Sequence, residues 1–418
     1  MSSTLETLAA FIQDSALESH VGARTESLCI HIADTLGMML QGTLLADGKA
    51  AMSVGSRLVG WCASTRLTEA DDIHLTSCTT PGSVVVPTAF DLASSGVFQT
   101  WEDFLTAVLA GYETLIRVGY AIDGPRILAR KVWPTLFAAA MGATAVACRA
   151  WKLDVRQTAG ALATALASST GIAPSATTPN SSRWVALGSA AEHGVQAAKA
   201  ARQGALGDVE LLEHRSGRIA GVRISGRRLL RQLGTRFLFD ETELKLYPVA
   251  RQALAAVEAS RQLVGQNVEG ISAITVSVPS AQARIIDQPG WPSNRLQSIA
   301  SVRYQVALAL LSPEQLMHID RTPPFDTKEL RELSAKVHVH VDPRLETHYP
   351  QTWPAYVVVE QSGKSRSKLV SIPRGDPHNP LQWEDVLLKS GPYRGALAAI
   401  GKINLQDRIP HAVFEALP

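Results

Sequence analysis

Three stretches of this 418-residue chain carry residues whose types and spacing suit acid–base or anion-binding chemistry. The first runs Glu69-Ala-Asp71-Asp72-Ile-His74-Leu-Thr76-Ser77-Cys-Thr-Thr80-Pro81-Gly82-Ser83. Carboxylates and imidazole take and return protons near neutrality, and loops bring such groups to substrates. The same residues also make a capped turn, because Thr80-Pro-Gly-Ser is a good helix entry, and local chemistry alone leans to the turn. The second stretch, Asn180 to Gly194, sets Arg183 and Trp184 at a polar junction leading into a Gly/Ala-rich helix. Free N–H groups at such a junction suit an anion, and Arg183 can fork onto a carboxylate; the alternative is a solvated arginine at a helix start. His193 reads as structural. The third, Lys245-Leu-Tyr247-Pro248-Val-Ala-Arg251, is extended chain ahead of a helix and could aim an ammonium into a cleft, although a surface lysine is the commoner case.

Other chemistries leave no trace. There is no Walker or Rossmann glycine fingerprint, no HExxH and no Gly-x-Ser-x-Gly. His338 and His340 share one strand face, but no third ligand stands near them, and a solvent-facing sheet surface is the favoured reading, so no metal is expected. Formal net charge is +2, and basic and acidic residues are interspersed. The short cluster Arg227, Arg228, Arg231 reads as the wet face of a helix, so no nucleic-acid partner is expected. Cys29, Cys62, Cys78 and Cys148 share no metal spacing and read as reduced thiols of a cytoplasmic protein. The N-terminus reads as a helix start rather than a signal peptide. The most apolar stretch, Leu136 to Cys148, is too short for a bilayer, so no membrane partner is expected either.

The elements that must position these groups fall into two textures. Up to about residue 265, Ala, Leu and Val recur at three and four spacing, as in Ser27–Met39, Trp101–Ile116 and Val155–Ser168, which predicts helices. Small residues crowd Leu136–Ala150 and Gly188–Ala201, which predicts two helices deep in a bundle. Near Gly270 the period switches to two. Ile274, Val276 and Val278, then Val337, Val339 and Val341, then Tyr356–Glu360 and Lys368–Ile372 read as strands with one polar face. Helical patterns at Leu296–Leu311 and Thr327–Ala335 lie between them. The fold class is therefore mostly α with a smaller α+β domain. The expected division is a helical domain over 1–265 and an α+β domain over 270–392, with a helical tail, 393–418, packing back on the first.

Taken in order, the motifs resemble those of the MmgE/PrpD family, whose members include 2-methylcitrate dehydratase, cis-aconitate decarboxylase and iminodisuccinate epimerase. Asp34-Thr-Leu-Gly37, Asp71-Asp72-x-His74 with Pro81-Gly82-Ser83, Gly111-Tyr112-Glu113 with Arg117, and Trp133-Pro134-Thr135 with Gly142-Ala143 are similar to family motifs. So are Gly188-x-Ala190-Ala191-x-His193-Gly194, Lys245-x-Tyr247-Pro248, Ser301-x-x-Tyr304-x-x-Ala307 and Gly375-Asp376-Pro377-x-Asn379-Pro380. The resemblance implies a two-domain, commonly dimeric enzyme without organic cofactor, which abstracts a proton beside a carboxylate of a small molecule. It implies catalytic roles for Asp71, Asp72, His74 and Lys245. Substrate-binding roles follow for Glu69, Ser77, Thr80, Trp133, Arg183, Tyr247 and Tyr304, with Asp71, Asp72, His74, Thr80, Trp133, Arg183, Lys245 and Tyr304 converging on one cleft.

The departures from the family pattern set the expected chemistry. Thr80, Trp133, Ala186 and Leu254 stand where the family has histidines, Arg183 where it has lysine, and Val249 and Ala250 where it has cysteines. The chain therefore reads as a divergent isomerase or lyase for a less acidic, more apolar substrate, in specialised biosynthesis. The alternatives are an ordinary dehydratase, decarboxylase or epimerase of polycarboxylates, and a catalytically silent binding protein that kept the fold.

Overall fold

The structure, a computed structural model, describes residues 2–54, 56–172, 181–265, 267–321 and 325–409. The chain is mostly helical and divides into two compact units. One takes its described residues from the chain up to Leu244 and again from Gln382 on; the other runs from Lys245 to Leu381.

The first unit is helical. Several of its helices begin where the sequence supplies acceptors for free N–H groups: Ser3 and Glu6 form a reciprocal capping box on Thr4–Gln13, and Asp154 and Gln157 do the same for Val155–Ala167. Thr100 caps Trp101–Ala121, whose first turn carries Glu102 and Asp103. Pro134 opens Pro134–Ala150, where a missing N–H costs nothing. Pro134–Ala150 is buried along nearly its whole length. The other small-residue helix, Ser182–Arg202, is not deep in the unit: Leu187, Ala191 and Ala198 are buried, but His193, Gln196 and Lys199 are exposed. Its inner face needs glycine, since a Cβ on Gly194 would lie 2.2 Å from the Ala140 carbonyl oxygen. Paired strands in this unit are two residues long: β1 (Ile73–His74) pairs antiparallel with β4 (Thr242–Glu243), and β2 (Arg218–Ile219) with β3 (Val222–Arg223). Among its described residues the tail forms only short turns, Gly391–Tyr393, Arg394–Leu397 and Ile400–Lys402. It then pairs with the start of Trp101–Ala121, where the amide of Glu102 donates to the carbonyl of Leu405 at 3.0 Å. The part of the expected tail helix beyond residue 409 lies outside the described residues.

The second unit is built on a four-stranded sheet in the order β6-β5-β7-β8, from β5 (Ile271–Val278), β6 (Val337–Val341), β7 (Ala355–Gln361) and β8 (Lys364–Val370). β5 and β6 are parallel and the other pairs antiparallel. Helices Arg251–Val264 and Val302–Leu311 share its core with Ile274, Val276, Val357 and Val359. The edge strand β8 is exposed from Lys364 to Leu369 and carries three cations, which protect an open edge. It begins earlier than the expected Lys368–Ile372 because it closes a tight hairpin from Gln361. The single helix expected over Leu296–Leu311 is two, Arg295–Ala300 and Val302–Leu311. Ser301 adopts an extended conformation between them, and its hydroxyl accepts from the Tyr304 amide. A break at a capping serine leaves the 3.6 period almost in phase, so periodicity does not show it.

Among the described residues no single helix is long and apolar enough to cross a membrane. The four cysteines are free and buried.

Candidate functional site

The Asp-Asp-x-His loop is buried, which is unusual for a loop, because its backbone and side-chain polar groups must then find partners inside the protein. Every residue from Ala70 to Leu75 is buried. Glu69 and Cys78 both sit in the left-handed region, at φ 58° and 57°. Each non-glycine residue held there costs on the order of 1–3 kcal/mol, so the surroundings must over-determine the loop.

They do so through three sets of bonds. Asp72 accepts from the Gly82 amide at 2.9 Å and from the Tyr112 hydroxyl at 2.9 Å. It thereby pins the loop to the start of helix Gly82–Ala93. Burial, then the Asp72 charge, pushes the Tyr112 hydroxyl well above its usual range, so it stays a donor. From the C-terminal segment, Lys389 donates to both oxygens of Asp34, at 2.6 and 2.8 Å, and to the Ala70 carbonyl at 2.6 Å. From helix Trp101–Ala121, Glu113 accepts from the Phe239 amide at 2.8 Å and from Arg117 Nε at 2.9 Å. Arg117 also donates to the carbonyls of Arg231 and Arg236. This holds the segment that becomes β4, the partner of β1. Burial lifts Glu113 to about 7 against the pull of Arg117.

His74 is 1% exposed. Its Nδ1 takes the Ser77 amide at 3.3 Å and lies 2.8 Å from the Ser77 hydroxyl, which in turn lies 2.7 Å from that of Thr79. The Nδ1 acceptor role leaves the proton on Nε2, which has no hydrogen-bond partner among the described residues. Glu241 lies 3.8 Å away but is itself held by Arg236 at 2.8 Å. Desolvation, reinforced by the charge of Arg236, pushes His74 down to about 3. At neutral pH it is a neutral ring with little proton affinity, and its visible work is to hold the Ser77–Thr79 turn. The general acid–base role read from its sequence position therefore has no support in its surroundings. Asp71 and Asp72 are likewise fully buried, Asp71 against Arg66 at 3.2 Å.

A second group gathers around two indoles. Arg183 lies 5.1 Å from the Trp133 ring and 4.6 Å from that of Trp184. Arg66 lies 5.6 and 5.7 Å from the same rings. The indoles meet edge to face at 6.3 Å. Arg66 is balanced by Glu69 at 2.8 Å and by Asp71, which hold its guanidinium above the usual range despite burial. Arg183 is 8% exposed, its Nε has no hydrogen-bond partner and no carboxylate lies within ion-pair distance of it among the described residues. Desolvation, then the charge of Arg66, lowers its pKa, partly offset by Glu69. Thr80 lies nearby in sequence to the pinned turn and bonds Thr135, amide to hydroxyl, at 3.1 Å.

The fold thus brings Glu69, Asp71, Trp133 and Arg183 together, with Asp72, His74, Ser77 and Thr80 forming the loop behind them. Asn180, the start of the second motif, lies outside the described residues. Lys245, Tyr247 and Tyr304 belong to the second unit. Lys245 is 3% exposed and follows β4 by two residues. The Tyr247 hydroxyl accepts from Arg261 at 2.7 Å. Tyr304 is a core residue whose hydroxyl donates to the Phe325 carbonyl at 2.9 Å, so its surroundings give it a packing role. His338 and His340 are exposed on β6. Sequence reasoning missed Arg66 and Lys389, and it named Tyr112 as part of a motif without its bond to Asp72. Arg66 had a readable signal, a cation in the last helical turn three residues before Glu69; Lys389 had none.

The chain matches the models of the MmgE/PrpD N-terminal domain over residues 48–225 and of the MmgE/PrpD C-terminal domain over residues 247–391. A comparison with curated proteins gives no match. The two matches span the pinned loop, the paired indoles and the four-stranded sheet, and the chain accordingly belongs to the MmgE/PrpD family, a group of enzymes of the dehydratase and lyase kind.

Proposed function

We propose that this protein is a divergent, cofactor-independent isomerase or lyase whose substrate carries one carboxylate on an apolar or unsaturated body. The observation that supports it most is Arg183. A buried guanidinium without a carboxylate of its own is costly, and a substrate carboxylate is the group that relieves it bidentately. Trp133 and Trp184 beside it offer stacking faces for a flat apolar group. Arg66 is already balanced, so it offers little to a second or third carboxylate. Of the four residues to which the family resemblance gives catalytic roles, Asp71, Asp72 and His74 are engaged in the loop, and proton abstraction is assigned to the fourth, Lys245.

The test is deuterium exchange in D₂O across a panel of mono-, di- and tricarboxylic acids, read by mass spectrometry. Exchange or elimination is expected with unsaturated or aryl-bearing monocarboxylic acids. It should be lost in Lys245→Ala, and Arg183→Ala should raise KM at least tenfold. Turnover of cis-aconitate or 2-methylcitrate at ordinary rates, on the order of 1–1,000 per second, would sink the proposal. A second reading, a silent binding protein, is favoured by the immobilised carboxylates and the neutral His74. It expects the monocarboxylic acids to bind through Arg183 with no exchange.

A further inference from the structure

A cavity of about 270 Å³ opens in the first unit beside the end of helix Trp101–Ala121, helix Gly124–Ala129 and the β2–β3 hairpin. Arg126, Arg130, Arg218, Arg223 and Arg228 line it, and Asp123 is the acidic residue among the lining. The whole chain carries a net charge of only +2, so folding concentrates here cations that the sequence disperses over a hundred positions. Arg228 lies over the Tyr120 ring at 4.5 Å and 3.8 Å from Asp123. Among the described residues the other four arginines have no ion pair and no side-chain hydrogen bond.

The arrangement is mildly unfavourable by itself, because the four unpaired arginines are exposed and water and salt screen part of their repulsion. Arg218 and Arg223 are direct cross-strand partners, and like charges placed opposite one another repel. Arg126 and Arg130 stand four apart at the end of one helix, where like charges also repel. The turn that fixes the opposed pair is tight: Ala220 and Gly221 both have positive φ, 46° and 78°, as a two-residue hairpin turn requires. The Ser225 amide ties the hairpin to the Ala121 carbonyl at 3.1 Å, and the Ser225 residue also lines the cavity. Arg228 has a packing role on Tyr120, but no contact among the described residues accounts for the other four guanidinium groups facing this space.

We propose that this cavity binds a compact, phosphate-bearing small molecule. Guanidinium forks match phosphate oxygens. A phosphate group carries roughly −1.5 to −2 charges at neutral pH, about twice that of a carboxylate, so it neutralises the most repulsion in the least space. The volume lies below the range of roughly 300–1,000 Å³ usual for drug-sized ligands. It suits a diphosphate or a small phosphorylated metabolite better than a dinucleotide.

The probe is sodium pyrophosphate, titrated calorimetrically into the full chain at low and at threefold higher salt. Saturable binding at one site is expected, weakening with salt. The double variant Arg218→Gln/Arg223→Gln should bind at least tenfold more weakly while melting no lower than the parent, since it loses a repulsive pair. Arg126→Gln/Arg130→Gln gives the same reading from the helix should the hairpin variant fail to fold. No saturable binding at millimolar pyrophosphate, or unchanged affinity in the folded variants, overturns the proposal. Equal affinity for citrate, or tighter binding of a short single-stranded oligonucleotide, overturns the assignment to a small phosphate compound.

Discussion

Arg66 and Arg183 face the same two indoles but under different electrostatic conditions, and that difference separates a structural cation from a binding one. Arg66 is neutralised by Glu69 and Asp71 and ties the end of its helix to the pinned loop. Arg183 has the aromatic contacts without the acid. The same logic demotes His74. A titratable side chain is useful when it can change charge near working pH, and burial removes that ability here. The consequence is a stability effect. The folded ring is pushed down to about 3 from its ordinary value near 6.5. Its contribution is therefore present above 6.5 and is lost as pH falls toward 3, because the unfolded chain takes up a proton that the folded chain refuses. From pH 7.5 to 4.5 the loss from this residue should be about 2–3 kcal/mol. His74→Asn keeps an acceptor for the Ser77 amide at the position of Nδ1 and cannot titrate. Urea unfolding at the two pH values should show a smaller acid loss in that variant than in the parent, and equal losses would show that His74 is not the group responsible.

At the scale of elements, helix Trp101–Ala121 is the hub. Tyr112 reaches Asp72, while Glu113 and Arg117 hold the chain from Arg231 to Phe239 that leads into β4. The Gly-Tyr-Glu motif with its arginine therefore works by position, fixing β4 against β1 and with them the His74 turn. Glu113→Ala leaves the Phe239 amide and a fully buried Arg117 without their carboxylate. Breaking a buried pair by removing one partner costs about 3–5 kcal/mol. Urea unfolding at pH 8, where Glu113 is ionised, should show a loss of that size; a loss below about 1 kcal/mol would mean the helix does not organise the loop. The helices of this unit were legible from the sequence because their apolar faces keep the 3.6 period, and β5, β6 and β7 because theirs keep the period of two. Three things were not. The break at Ser301 hides in a phase-preserving cap. The open face of Ser182–Arg202 looks like a buried one, since alanine and glycine suit both. The partners of the loop, Arg117, Lys389 and Phe239, stand far from it in sequence, and no local pattern links a lysine near residue 389 to an aspartate at 34.

Across the whole molecule, the sequence correctly suggests dispersed charge along the chain but not where folding gathers it, as the five arginines of the cavity show. The family relationship motivates the proposal that the protein works as a homodimer, and light scattering at micromolar concentration should then give twice the 44.8 kDa chain mass; a monomer mass would count against it. Chain topology gives a more demanding test. Among the described residues the second unit is one continuous segment, Lys245–Leu381, whereas the first is interrupted by it and resumes at Gln382. A segment that folds as a unit must hold its own core. Every member of the cluster built around the four-stranded sheet, from Val249 to Val370, lies inside the segment, with Ile274, Val276, Tyr304, Val306, Leu308, Val357 and Val359 all essentially inaccessible to solvent. Its hydrogen-bonded sheet is complete within the same limits, and its charged edge strand discourages pairing with other chains. Expressed alone, residues 245–381 should therefore unfold in one cooperative transition by circular dichroism and resist limited proteolysis. A non-cooperative melt, or cleavage across β5 or β7 as fast as in an unfolded chain, would mean that the sheet depends on the helical unit for its stability. The complementary fragment, residues 1–244 without the return of the chain, should fare worse, because it lacks Lys389 and leaves Asp34 buried without its ammonium.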